Sequence, residues 1–385
     1  MIFDFIKLKL NYGFYLLFFL IITPFACNNV KVKNNFNEKE KIKNKYAELF
    51  KISENKKLKK LSIFDLNGNL KETYFLINKN KQLPDSLRNK NIIRTPVKRI
   101  ICLSTTHIAF IDALGETDKI VALSGSQYVF NPELRKRMNA GMLKDVGYDS
   151  SLDFELLLSM KPDLVTVYDI NGSISPVINK LKQLNIPVVQ INEYLESSVL
   201  GQAEWIKFFA VFFEKEKKAE QIFSEIENRY TELKRQTDTV NRRPSVLLNM
   251  PWKGTWYIPG GKSNIAQLIT DAGGNYIWKN TSEKHNLALT IEDVYNKGLN
   301  TDFWLNPGQA KSINDIIATD NRLEKFKAVK TGQIFNRNKR LSPGGGNDYM
   351  ESGTVRPDLI LEDLIKILHP DLLPKHTLYY YTNLK

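Results

Sequence analysis

The hydrophobic pattern of this chain alternates between strand and helix periods in two separate series, with one long helical stretch between them. In the first series VKRIICLS reads as a buried strand, STTHIAFIDALG as a helix begun by a Ser/Thr cap and stopped at Gly115, and DKIVALSG as the next strand. The strand-like runs DLVTVYD and IPVVQIN follow, separated by helical DFELLLSMK and SPVINKLKQL. A second series runs through PSVLLNM, SNIAQLITDAGG, TIEDVYNKGL, TDFWLNPG and GQIFNRN, and RPDLILEDLIKILHP closes it as an amphipathic helix stopped by Pro370. A parallel strand partner is reached only through a crossover, so strands alternating with helices require parallel sheets covered on both faces. The fold class is therefore α/β, with two Rossmann-like lobes and a cleft between them.

In the intervening stretch, 201–240, apolar residues recur at spacings of three and four: Trp205, Phe209 and Phe212, then Ala219, Phe223, Ile226, Tyr230 and Leu233. The charged run 214–218 marks a break between two helices. The second, about 24 residues and hence about 36 Å long, is long enough to cross between lobes. The expected plan is an N-terminal lobe over 96–213, an inter-lobe helix over 214–240 and a C-terminal lobe over 241–385.

Ahead of the lobes, KKLSIFD and LKETYFLINK flank DLNGN, so a hairpin turning at Asn67 and Gly68 is expected within a small β extension over 61–95. Residues 27–60, rich in Lys and Asn, read as a flexible tether. At the N-terminus, Lys7 and Lys9 precede an apolar run of about 14 residues, short of the roughly 20 that span a bilayer, so 1–26 reads as a secretory signal peptide. Cys27 stands directly after it, and this layout resembles a bacterial lipoprotein signal, which implies lipidation of Cys27 and anchoring to a membrane. The other cysteine, Cys102, sits in an apolar run and reads as a small buried hydrophobe. No Cys/His cluster has the spacing of a metal site, so neither metal nor cofactor is expected.

A formal net charge of +13 would suggest a polyanionic partner, but residues 101–385 carry 34 basic and 34 acidic groups. The basicity lies ahead of the lobes, which removes the case for a nucleic-acid groove.

In open α/β sheets ligands bind outside the carboxyl ends of the strands, and the loops there supply the candidates. In the first lobe these are Ser104, Thr105, Thr106, Gln127, Tyr128, Tyr148, Tyr168 and Asp169. In the second they are Pro251, Trp252, Trp256, Tyr257, Trp304 and Asn306, with Arg337, Arg340, Asn347, Tyr349 and Glu351 from the loop NRNKRLSPGGGNDYMESG. The ligand-binding set singled out is Thr105, Tyr128, Tyr148, Tyr168, Trp252, Trp256, Arg340 and Tyr349. Aromatics with an arginine suit a large, flat ligand bearing carboxylate or catecholate oxygens. Trp304 and Trp278 also read as core. The glycine run lacks the G-x-x-x-x-G-K-[ST] frame of a phosphate loop and reads as a flexible cleft loop.

The strings VKRIICLSTTHIAFIDALGETDKIVALSG, LDFELLLSMKPDLVTVYD, LTIEDVYNKGLNTDFWLNPG and RPDLILEDLIKILHPDLL resemble the helical-backbone class of ABC-importer binding proteins, which take up siderophores, haem and cobalamin. The resemblance covers about Ile93 to the end. It implies an exported, membrane-anchored monomer that captures an iron chelate, or alternatively a corrinoid, without transforming it, and hands it to a permease and its ATPase. It also implies that one acidic residue on each lobe docks onto the permease, and the matching strings put these at Glu155 and Glu292. A two-lobed glycosyltransferase is the alternative from another class, and a surface haemophore acting without a permease is a third reading. No nucleophile–base pair or paired catalytic carboxylates stand out for an enzyme.

Overall fold

From Lys39 on, a sheet leads into the lobes. The computed structural model describes residues 39–54, 58–148, 151–168 and 174–385. Strands β1 (Lys39–Ile42), β2 (Phe50–Glu54), β3 (Lys59–Phe64), β4 (Leu70–Asn78) and β5 (Asn91–Thr95) pair in sequence order, the first four antiparallel and β5 parallel to β4. The expected hairpin is β3–β4, with Gly68 at φ 76° in its turn.

The extension is thus five strands rather than one hairpin, and it starts at Lys39, inside the stretch expected to be a tether. Lys39, Lys41, Lys51, Lys59 and Lys60 of that stretch lie on its strands. The leader, Cys27 and Asp169 lie outside the described residues.

In the first lobe β6 (Ile100–Cys102), β7 (Ile120–Leu123), β8 (Lys144–Asp145), β9 (Leu164–Val167) and β10 (Val188–Gln190) form an all-parallel sheet in the order β10-β9-β6-β7-β8. Its helices are α1 (Thr105–Ala113), α2 (Pro132–Asn139), α3 (Phe154–Ser159) and α4 (Ser175–Gln183). The cap expected for α1 is Ser104, whose side chain accepts from Thr106 N, and the chain leaves the helix at Gly115 with φ 73°.

Helix α5 (Val199–Phe213) is apolar around nearly its whole circumference and is buried accordingly. It ends at Glu214, which takes φ 58°, and α6 (Glu216–Gln236) begins two residues later. Helix α6 spans the two lobes. Near its start Lys218 Nζ donates to Leu114 O of the first lobe (2.8 Å); near its end Tyr230 Oη donates to Asp271 Oδ2 (2.8 Å) and Lys234 pairs with the same carboxylate, in the second.

The second lobe opens with β11 (Ser245–Leu248), the hairpin β12 (Pro251–Trp252) and β13 (Thr255–Pro259), α7 (Asn264–Asp271) and β14 (Asn275–Tyr276). It continues through β15 (Asn286–Thr290), α8 (Ile291–Gly298), β16 (Phe303–Leu305), α9 (Ile313–Thr319) and α10 (Lys327–Lys330). It closes with β17 (Ile334–Asn336), α11 (Pro357–Leu368) and β18 (Thr382–Asn383). The main sheet runs β14-β11-β16-β17-β18, parallel except for β18, while β12, β13 and β15 make a separate antiparallel sheet.

Candidate functional site

A cavity of about 540 Å³ lies where the carboxyl ends of strands from both lobes converge. Tyr194, Leu195 and Ser197 reach it from beyond β10; Asn249, Asn306 and Arg337 reach it from the ends of β11, β16 and β17. Asn249 and Asn306 stand at φ 61° and 57°, a left-handed conformation that Asn tolerates better than most residues and that turns the chain sharply off each strand. Asn249 Nδ2 donates to Tyr257 O (2.7 Å), whereas the buried Oδ1 of Asn306 has no hydrogen-bond partner among the described residues.

The cavity is cationic. Lys262, Lys284 and His285 line it from exposed positions, and Arg337 lies half-buried with its guanidinium 4.9 Å above the Tyr349 ring. The first turn of α7 also faces it through Asn264 and Ile265, behind the Ser263 cap, so the positive end of that helix adds to the field. Glu196 is the one carboxylate on this lining, and it is engaged elsewhere. It accepts from Glu48 N, Leu49 N and Trp205 Nε1, and burial pushes its carboxyl up from the ordinary range.

On the first-lobe side Tyr128, Tyr148 and Tyr168 stand together at the ends of β7, β8 and β9. The Tyr148 and Tyr168 hydroxyls are 3.2 Å apart, and the Tyr128 and Tyr148 rings meet edge-on at 6.3 Å. A Cβ at Gly125, φ 66°, would come within 3.3 Å of both Tyr128 and Tyr148, so the glycine makes room for the pair. Tyr128 and Tyr148 are exposed, and none of the three tyrosines is among the residues lining the cavity. Thr105 opens α1 at the end of β6, and its neighbour Thr106 donates to Glu193 Oε1 (2.7 Å). Glu193 is buried, its other oxygen has no hydrogen-bond partner among the described residues, and burial pushes its carboxyl up. Sequence reasoning missed it, since nothing in QINEYL marks that glutamate as inward-facing.

The second-lobe expectations need correction. Trp256 is fully buried, its ring stacked on Trp304 at 5.4 Å and its Nε1 donating to Leu248 O, so it is core and not cleft wall. Trp304 is core too. Trp252 is exposed at the tip of the β12–β13 hairpin with Lys253 over its ring and is not among the residues lining the cavity.

Arg340 is held between the rings of Phe130 and Tyr379 and pairs with Asp348; Tyr349 is buried against Tyr380 and Tyr381. Both are committed to packing. The glycine run beside them is no loose loop but a strap between lobes. A Cβ on Gly346 would lie 2.1 Å from Tyr128 O, and one on Gly344 2.4 Å from Gln127 O. Glu351 completes the strap by accepting from Phe130 N (2.8 Å) and Asn131 N (2.9 Å).

Glu155 and Glu292 occupy the same place in their helices, the second residue of α3 and of α8, after the caps Asp153 and Thr290. Both are exposed. Glu292 pairs with Arg322 (2.8 Å), whereas Glu155 has no ion-pair partner among the described residues.

A family model described as periplasmic binding protein matches residues 100–341, a span that includes α6 and most of both lobes. An uncharacterized lipoprotein of Methanocaldococcus jannaschii is 26% identical over 325 residues, 80% of this chain and 75% of its own length. A molybdate periplasmic binding protein of Haemophilus influenzae superposes with a TM-score of 0.58 at 19% identity, over 78% of this chain and 94% of its own. A possible iron-binding periplasmic solute-binding protein of Staphylococcus epidermidis superposes with a TM-score of 0.57 at 18% identity, over 71% of this chain and 100% of its own. At those identities the two structures establish the fold alone.

Proposed function

Because the chain belongs to the periplasmic binding protein family, we propose that it captures an anionic iron chelate, of siderophore type or haem, and delivers it to the permease and ATPase of an ABC importer. The observation that carries this reading is the lining of the inter-lobe cavity. Arg337, Lys262, Lys284 and His285 converge there with the first turn of α7, and the only carboxylate among the lining residues is already bonded elsewhere. Such a wall favours carboxylate or catecholate oxygens through charge-assisted hydrogen bonds. An electroneutral corrinoid would gain less from it. In this reading Tyr194 of the lining gives a flat ligand aromatic contact at small entropy cost, and Tyr128, Tyr148 and Tyr168 would meet only a ligand that extends beyond the cavity.

In this reading Cys27 carries the lipid anchor, the protein works on the outer face of a membrane, and Glu155 and Glu292 are the two docking points for the permease. Two carboxylates fixed far apart on a rigid body provide steering and orientation more than raw affinity. The fold supports capture rather than turnover, and hydrolysis or transfer of a nucleotide sugar by the purified protein would contradict it. The direct test is titration with haemin, a ferric tris-catecholate and cyanocobalamin, followed by tryptophan fluorescence. The anionic chelates are expected to bind with a Kd below about 10 μM, equivalent to about −7 kcal/mol.

A further inference from the structure

A second cavity, of about 640 Å³, adjoins the inter-lobe cavity and shares Leu66, Tyr194 and Leu195 with it. One side of it is the β3–β4 turn of the N-terminal sheet, through Asp65 and Asn67; the other is the carboxyl end of β10, through Gln190 and Asn192. Leu66, at the tip of the turn, lines both cavities and is 62% exposed. A lone exposed leucine needs no explanation, but one at the junction of two cavities is placed to meet whatever fills them.

The turn is also held still. Asp65 Oδ1 accepts from Asn67 N and Asn69 N, both at 2.9 Å, and Gly68 N donates to Asp65 O. The sheet behind it is clamped to α5. The Glu204 carboxylate, fully buried, accepts from Lys45 N, Tyr46 N and Ala47 N and pairs with Lys207, while Glu196 takes the next two backbone amides. Buried carboxylates bonded to backbone amides fix a segment far more firmly than exposed ion pairs do. The match to the family model begins at residue 100, after this sheet ends, so the turn lies outside the matched span.

We propose that the β3–β4 turn is a third wall of the ligand cleft, and that the ligand is an extended organic chelate whose apolar portion lies over Leu66 and Tyr194 while its anionic groups reach Arg337 and Lys262. This rests on the capture reading above and narrows it: a compact inorganic oxyanion would fill neither cavity, each of which falls in the range of roughly 300–1,000 Å³ typical of organic ligands.

The test is calorimetric titration of the full chain and of its Leu66→Ala and Leu66→Asp variants with haemin, a ferric tris-catecholate and sodium molybdate. Leu66 is exposed, so thermal melting of the variants should match that of the parent. The expected result is that at least one organic chelate binds the parent, that Leu66→Ala weakens it by about fivefold and that Leu66→Asp weakens it further, through lost apolar contact and then repulsion of the anion. Organic chelates that bind parent and variants equally would overturn the third wall and leave the capture reading intact. Saturable binding of molybdate alone would overturn the extended ligand while sparing transport. No binding of any probe to the parent would remove both readings.

Discussion

Arg337 enters the cleft from the end of β17 with no carboxylate partner among the described residues, so its charge is available to a ligand. Arg337→Ala is expected to weaken an anionic chelate by about tenfold or more, the loss of one charge-assisted contact, with little change in melting. Glu351 makes a pH-dependent contribution. Burial, with Asp348 and Asp112 nearby, pushes its carboxyl up to about 7 from the ordinary 4.5, so the folded chain holds this proton more tightly than the unfolded chain does. Stability should therefore fall as pH rises from about 4.5 to about 7, because the native state binds the extra proton in that window. Glu193 and Glu196 act in the same sense, so the readout is the difference between parent and Glu351→Gln in denaturant melts across that range, with a shallower slope expected for the variant. At this scale the sequence was legible in setting Tyr128, Tyr148 and Tyr168 at neighbouring strand ends, though none of the three is among the residues lining the cavity. It was not where the register decides: Trp256 and Tyr257 are adjacent on β13, and the two-residue period turns Trp256 into the core and leaves Tyr257 exposed.

Helices announced themselves better than strands did. Ser104 caps α1 as its sequence predicts, and Gly115 and Pro370 follow their helices as stops, because caps and breakers act locally. β1 and β2 escaped notice for the opposite reason. KEKI and FKISE carry little apolar text of their own, and what orders that region comes from far along the chain, in Glu196, Glu204 and the Phe50 contacts with Trp205 and Phe208. The glycine strap is the element whose meaning changed most. Its glycines permit backbone of one lobe to approach backbone of the other, so Gly346→Ala should force the lobes apart locally. The expected cost is about 1–3 kcal/mol in stability, the usual range for overpacking, read in urea melts beside Gly345→Ala as a comparison for left-handed strain.

Taken whole, the molecule is two parallel-sheet lobes tied by α6 and the strap, with a basic sheet mounted on α5. The lobe–helix–lobe plan was readable because two α/β series flank one long helical pattern. The position of the charge was only half readable, since from Lys39 on the described residues ahead of the lobes form a sheet where a tether was expected. Docking belongs to this scale. Arg322 pairs with Glu292, and Glu155 has no such partner among the described residues, so under the proposed docking Glu155→Lys should lower chelate uptake through the permease more than Glu292→Lys. Both should leave chelate affinity unchanged, as measured on vesicles carrying the transporter and on the isolated protein. The central claim, that the cationic inter-lobe cavity holds an anionic iron chelate, is tested most directly by titrating the full chain with haemin and a ferric tris-catecholate while following tryptophan fluorescence. Saturable binding below about 10 μM that weakens on Arg337→Ala is the predicted result, and absence of saturable binding by either chelate would contradict it.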